Sequence, residues 1–168
     1  MNTEISLRRA TLSKEDFEAF YKIKCDPNNV LWSGFATAPD HDNFKIWYEK
    51  QIIENIREIW FAVLEGTLVG FYYIMPYDKD CITGGYGVLS EYAGRGIGTR
   101  LMYERNQRCQ QEGKVSVAWV AEENIASTKC MLKQGYQPQE DTEVRKIWIN
   151  KAFKEKTFRK YVKIPDSK

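Results

Sequence analysis

The sequence predicts an α/β (α+β) fold, with one mixed central sheet of about seven strands flanked by about four helices. Three observations predict it. Strand-like and helix-like patterns follow one another in the order β-α-α-β-β-β-α-β-α-β-β. Hairpins come early and only one β-α-β crossover follows, which gives a mixed sheet rather than an all-parallel one. The 168 residues are 43% hydrophobic and 14% aromatic, enough for one core and a single domain over 1–168, and too apolar for a disordered chain.

Each element has its own signal. Ile5 to Thr11 reads as a first strand. Ser13, with Asp16 three residues on, is a helix-start pair, and Phe17, Phe20 and Tyr21 then share one face. Cys25 to Pro39 reads as a loop because of Asp-Pro-Asn-Asn and Ser-Gly. Its Val30, Leu31, Trp32 and Phe35 are apolar for a solvated segment. They suit either core packing or one wall of an acceptor pocket. Asp40 caps a second helix carrying Phe44, Trp47, Tyr48 and Ile52. Glu58 to Glu65 and Leu68 to Met75 form a hairpin around Glu65-Gly66-Thr67, and Pro76 is expected to end it. Ile82 to Leu89 is a strand rich in glycine. Gly94 to Gln111 is a loop running into a helix that Gly113 stops. Val115 to Val120 is a strand, and Asn124 to Gln134 is a helix that Asn124 caps and Gly135 ends. Val144 to Ile149 and Thr157 to Lys163 form a last antiparallel pair. The lysines and arginine of Lys151 to Lys163 read as a solvated edge, since lysine commonly protects edge strands.

Charge and cysteine usage narrow the function. A balance of 25 basic against 23 acidic residues leaves a net charge of +2, without the broad positive field of a nucleic-acid binder. No apolar run approaches the roughly 20 residues of a membrane helix, and the first residues do not resemble a secretion signal. Cys25, Cys81, Cys109 and Cys130 form no CxxC motif and read as free thiols in a reducing, cytoplasmic setting. The lone histidine, His41, rules out sites built on two or more histidines and reads as a surface or helix-start residue; nothing points to a metal.

The chemistry concentrates in Val88 to Leu101. A strand leads into Gly94, Gly96 and Gly98, and a helix begins at once. Glycine permits positive φ and close backbone approach, and the first helical turn carries unpaired N–H groups and a partial positive charge. Together these make a phosphate pocket, to which Arg95 adds a charge. A P-loop is excluded, because no Gly-Lys is followed by Ser or Thr. A dinucleotide site stays open, with Glu122 or Glu123 at a suitable distance, although Thr99 replaces its third glycine and the loop lies mid-chain. A turn needed only for strand–helix packing is the structural alternative.

Val88 to Leu101 resembles the acyl-CoA-binding motif of the GNAT superfamily of N-acetyltransferases. Gly96 and Gly98 match its two small positions, and Gly94 and Arg95 fit a common version of it. Ala93 departs from the usual Arg or Gln, so Arg95 or Arg100 would have to replace that contact. Glu123 to Tyr136 resembles the family's downstream stretch, with an asparagine, small residues and a Lys-x-Gly-aromatic ending. The resemblance implies an acyl-CoA N-acyltransferase fold with strands 4 and 5 splayed. It implies acetyl-CoA (coenzyme A) as co-substrate and a primary amine of a small molecule or protein as acceptor, attacked directly in a ternary complex. The cofactor-binding residues would be Val88, Leu89, Ala93, Gly94, Arg95, Gly96, Ile97, Gly98, Thr99, Asn124 and Ser127, with the Val88 or Leu89 amide polarising the thioester carbonyl. Dimers are common in that family, which makes a homodimer an expectation.

Acid–base residues depart most from the family's pattern. Many relatives carry a glutamate where this chain has Thr83 to Gly85, and a tyrosine where it has Met131. The remaining catalytic candidates are Ser127, Asp80 and Tyr136, with Cys130 and Glu122 behind them. These losses keep a non-catalytic acyl-CoA-binding or regulatory module as the competing function.

Overall fold

The computed structural model describes residues 4–33, 37–149 and 151–166. Its elements run β1 (Ser6–Arg9), α1 (Lys14–Lys24), α2 (Pro27–Ser33), α3 (His41–Ile53), β2 (Glu58–Leu64), β3 (Thr67–Asp78), β4 (Cys81–Val88), α4 (Ile97–Gln111), β5 (Val115–Ala121), α5 (Ile125–Lys133), β6 (Gln137–Ile149) and β7 (Ala152–Lys163). The seven strands form one sheet in the order β1-β2-β3-β4-β5-β7-β6. Every neighbouring pair is antiparallel except β4–β5.

Helix starts follow from local chemistry. The Ser13 hydroxyl accepts from the Asp16 N–H at 3.1 Å, and Asp40 accepts from the Asn43 N–H at 2.9 Å. Asp16 does not close a reciprocal box with Ser13. It takes a two-pronged contact from Arg8 at 2.6 and 2.9 Å and further bonds from Thr11. Glu65 and Gly66 both have positive φ, which makes the β2–β3 turn the two-residue type whose twist suits a hairpin.

Helices cover both faces of the sheet. Phe17 and Phe20 of α1 and Phe44 and Tyr48 of α3 pack on Ile59, Phe61 and Phe71 of one face. Ile97, Leu101 and Cys109 of α4 pack on Tyr72, Ile74 and Ile82 of the other. Met131 of α5 joins Met102, Val120 and Tyr161 on that second side.

Four expectations are corrected. Cys25 to Pro39 contains the short helix α2, which makes five α-helices among the described residues. Asp26 accepts from the Asn28 N–H at 3.1 Å and Pro27 takes the first helical position, where its missing N–H costs nothing. Pro76 does not end β3. The β2 register stops at Glu58↔Ile74, so the side of β3 on which a proline would forfeit a bond has no partner there. The last hairpin is longer than expected, because β6 and β7 pair along most of their lengths. β7 also lies between β5 and β6 and is no edge. Its basic residues hold carboxylates instead: Lys156–Glu123 at 2.6 Å, Arg159–Glu122 at 2.7 Å and Lys160–Asp141 at 3.6 Å.

Candidate active site

The parallel pair β4–β5 is joined only at Cys81↔Val115, Ile82↔Ser116 and Thr83↔Val117. The Thr83 hydroxyl donates to the Val117 carbonyl at 2.9 Å, at the last of these pairs. Beyond it the strands part. β4 stays bonded to β3 as far as Gly70↔Val88, and β5 stays bonded to β7 as far as Ala121↔Phe158. Each strand is held by its outer neighbour, so a fork opens between their C-terminal ends.

Strand parity decides which amide faces that fork. The Leu89 N–H donates to the Val69 carbonyl at 2.9 Å. In an antiparallel ladder bonded and non-bonded pairs alternate, so Val88, opposite Gly70, turns its N–H and C=O away from β3. The Val88 carbonyl does point that way, accepting from Asn29 Nδ2 of α2 at 3.2 Å. Leu89 is therefore corrected as a carbonyl-polarising group: its amide is already used, and the Val88 amide is the one turned to the fork.

The chain then makes one 3-10 turn at Ser90–Tyr92 and passes Ala93 in extended form. Gly94 and Gly96 have φ of +76° and +80°, a region that L side chains rarely adopt. A Cβ at either would meet nothing within 4 Å, so the space before the turn is open. Gly96 is the N-cap of α4, and no side chain caps the helix. The Arg100 N–H reaches the Gly96 carbonyl at 3.0 Å, which leaves the amides of Ile97, Gly98 and Thr99 ahead of the first helical bond. Ile97 is 2% exposed and anchors this turn in the core, while Ala93, Gly94, Arg95, Gly96 and Thr99 are exposed. Gly98 has another reason to be glycine: a Cβ there would lie 3.2 Å from the Tyr86 ring. The Arg95 guanidinium lies over the Tyr92 ring at 5.1 Å, whereas Arg100 is paired with Glu104 at 2.7 Å.

The acid–base candidates separate by position. Asn124 and Ser127 stand at the start of α5, where Asn124 Oδ1 caps the Ser127 N–H at 3.2 Å. Asp80 lies at the other end of β4. Eight residues separate it from Val88, roughly 25 Å along a strand, so it is not brought to the fork. Tyr136 is 2% exposed and fully engaged. Its hydroxyl accepts from Arg105 Nη2 at 2.7 Å, donates to Asn106 Oδ1 at 2.6 Å and lies 2.5 Å from Ser116 Oγ. That network sits beside the paired part of the fork, at the Ile82↔Ser116 level. Burial pushes the Cys130 thiol up, against a nucleophilic role.

On the α1 side of the fork's open end lies a groove of about 610 Å³, lined by Glu18, Tyr21, Asp26, Leu89, Ser90 and Glu91 among others. Its carboxylates have partners. Glu18 holds His41 at 2.9 Å, Glu91 faces Lys22 at 3.6 Å, and Asp26 accepts from the Ser90 N–H and hydroxyl at 2.9 and 2.6 Å. The side chain of Trp32, and all of Phe35, lie outside the described residues.

The model of the acetyltransferase (GNAT) family matches residues 15–136. The chain belongs to the GNAT family. A comparison with curated protein sequences finds no match. Solved structures share the fold. A ribosomal-protein-alanine N-acetyltransferase from Brucella melitensis is 24% identical with a TM-score of 0.79, and the match covers 95% of this chain and 99% of that one. The phosphinothricin acetyltransferase of Sinorhizobium meliloti, in complex with AcCoA, is 18% identical with a TM-score of 0.77 over 96% of this chain and 89% of that one. The spermidine N-acetyltransferase of Vibrio cholerae, in complex with CoA and spermine, is 17% identical with a TM-score of 0.79 over 95% of each chain.

Within this GNAT fold one residue of the site escaped sequence reasoning. Met131 is 2% exposed and packs in the core, where it holds no proton to give. A tyrosine reaches the same helix from elsewhere. Tyr86 projects from the unpaired part of β4 towards α5, and its hydroxyl lies 3.3 Å from Ser127 Oγ. Burial holds the Tyr86 phenol above its usual pKa, so it stays protonated. Its signal in the sequence was faint, a single aromatic set between Gly85 and Gly87.

Proposed function

We propose that the protein transfers an acetyl group from acetyl-CoA to a primary amine by direct attack in a ternary complex. The observation that carries this reading is the fork, with the Val88 amide turned into it beside the open, uncapped start of α4. The amides from Gly94 to Thr99 would hold the diphosphate, with Arg95, which no carboxylate pairs among the described residues, beside them. The Asn124 side-chain nitrogen and Ser127 would line the acyl end. The Val88 N–H would donate to the carbonyl oxygen as it gains charge.

The chemistry balances as follows. The amine nitrogen bonds the thioester carbon and the C–S bond breaks. The thiolate takes a proton from the Tyr86 hydroxyl, directly or through Ser127, and the nitrogen gives up its second proton to solvent as the amide forms, from which Tyr86 is reprotonated. The ammonium must lose a proton first, because an amine with a pKa near 10 is largely protonated at neutral pH. Of the two carboxylates considered for that step, Glu122 stands at the open end of the fork and Asp80 does not. The four cysteines are free, which supports the cytoplasmic reading. No helix among the described residues is long and apolar enough to cross a membrane.

The test is thiol detection with acetyl-CoA and a panel of primary amines. Amine-dependent release of CoA is the expected result. Thermal stabilisation by acetyl-CoA with no release under any amine would favour the competing reading, a non-catalytic acyl-CoA-binding or regulatory module.

A further inference from the structure

We propose that the acceptor carries an oxyanion, a carboxylate or phosphate, in addition to its amine, and that Lys24 and Arg57 receive it on the α1–α3 face of β4. This names the substrate class for the acetyl transfer proposed above and rests on that reading.

The two cations stand beside the catalytic strand. Lys24 ends α1, one turn after Phe20, and its Nζ lies 5.4 Å from the centroid of the Phe71 ring. Phe71 is opposite Gly87 in the ladder, so close that a Cβ on Gly87 would be 2.7 Å from its ring. Gly87 precedes Val88. Arg57 lies between α3 and β2, its guanidinium carbon 5.2 Å from the centroids of both Trp47 and Tyr73. Tyr73 is opposite Gly85, and its ring would be 3.0 Å from a Cβ there. The cations therefore flank β4 at the levels of Gly87 and Gly85, one and three residues before Val88, or about 3 and 10 Å along the strand at some 3.3 Å per residue. A compact amine can span that distance.

Their charge is not neutralised. Among the described residues no carboxylate pairs with either group. Arg57 bonds the neutral Gln51 through Nη1, and its Nε is buried with no hydrogen-bond partner. Burial, aided by the nearby Arg57 charge, holds the Lys24 amine down to about 8. Other arginines do find anions: Arg8 holds Asp16, Arg108 holds Glu58 and Arg159 holds Glu122. Keeping two cations together, partly desolvated and unpaired, costs free energy that an oxyanion would recover. Aromatic rings steady both cations through cation–π contact without cancelling their charge. A polycationic acceptor is disfavoured by the same comparison, since the carboxylates of the neighbouring groove already have His41, Lys22 and Ser90 as partners.

The test is a panel of primary amines in matched pairs: an amino acid against its amide, an amino-sugar phosphate against the amino sugar, and spermidine as the cationic arm. CoA release is read as kcat and KM. The anionic member of a pair is expected to have at least tenfold higher kcat/KM. Arg57→Met and Lys24→Met are each expected to raise its KM at least tenfold, with a smaller change in kcat, and Lys24→Arg to restore most of the loss. Preference for neutral amines or spermidine, or variants with unaltered KM, would overturn the proposal while acetyl transfer stands. If no amine is acetylated, the transfer reading itself falls, and this assignment with it.

Discussion

Replacing Tyr136 by phenylalanine separates a folding role from a catalytic one. The hydroxyl is the meeting point of three buried groups, Arg105 Nη2, Asn106 Oδ1 and Ser116 Oγ. Tyr136→Phe leaves all three short of a partner while filling almost the same volume. A buried group left unsatisfied costs about 1–3 kcal/mol, most for a charged one. Arg105 is 1% exposed and its Nε is already without a partner, so the guanidinium has no alternative nearby. We expect a loss of about 3 kcal/mol in total. For a chain of this size that lowers Tm by roughly 6–12 °C, at about 2–4 °C per kcal/mol. Calorimetry gives the Tm, and thiol release at 25 °C gives kcat per folded molecule. The account expects the fall in Tm with kcat within threefold of the wild type. An unchanged Tm with kcat reduced a hundredfold would refute it and make Tyr136 the proton donor after all.

Three further outcomes are expected. Tyr86→Phe lowers kcat at least a hundredfold, in line with the loss of a general acid, with Tm nearly unchanged because its bond to Ser127 is long at 3.3 Å; wild-type kcat would exclude it. Gly96→Val costs about 1–2 kcal/mol from the left-handed backbone and removes the thermal shift caused by acetyl-CoA, since a Cβ branch fills the open turn; a shift of unaltered size would place the phosphates elsewhere. Asp16 is 4% exposed, and the bonds from Arg8, then those from Thr11, hold its carboxyl down to about 2. Its folded pKa lies below its unfolded one, so its stabilisation is complete above about pH 4 and is lost as pH falls towards 2. It is worth on the order of 2 kcal/mol at neutral pH. Asp16→Asn should therefore lower Tm at pH 7 and flatten the acid limb of the stability curve; parallel curves for both proteins would contradict this.

What the sequence revealed and what it hid divide along the range of the interactions. Helix starts at Ser13, Asp40 and Asn124, stops at Gly113 and Gly135, and the Glu65-Gly66 turn are set within a few residues, so they were legible. The glycines of the loop were legible too, because positive φ at Gly94 and Gly96 is a local demand. Gly98 looked like their equal, yet its reason is the Tyr86 ring, 12 residues earlier in the chain. Pro76 misled because the consequence of a missing N–H depends on whether a neighbouring strand is there. The choice between Val88 and Leu89 rests on ladder parity with β3, which no local pattern encodes. Asp80 and Tyr136 were chosen by residue type, and tertiary packing carried one to the far end of β4 and the other into the core. Asp26-Pro27 was a helix start obscured by the asparagines after it.

The most direct test of the account is an amide-resolved NMR titration of 15N-labelled protein with acetyl-CoA. The account predicts that the largest shifts fall on Gly94, Gly96, Ile97, Gly98, Thr99 and Val88, with Leu89 moving less because its N–H is bonded to Val69. Shifts confined to other surfaces, with the amides at the start of α4 and Val88 unmoved at saturating acetyl-CoA, would contradict it.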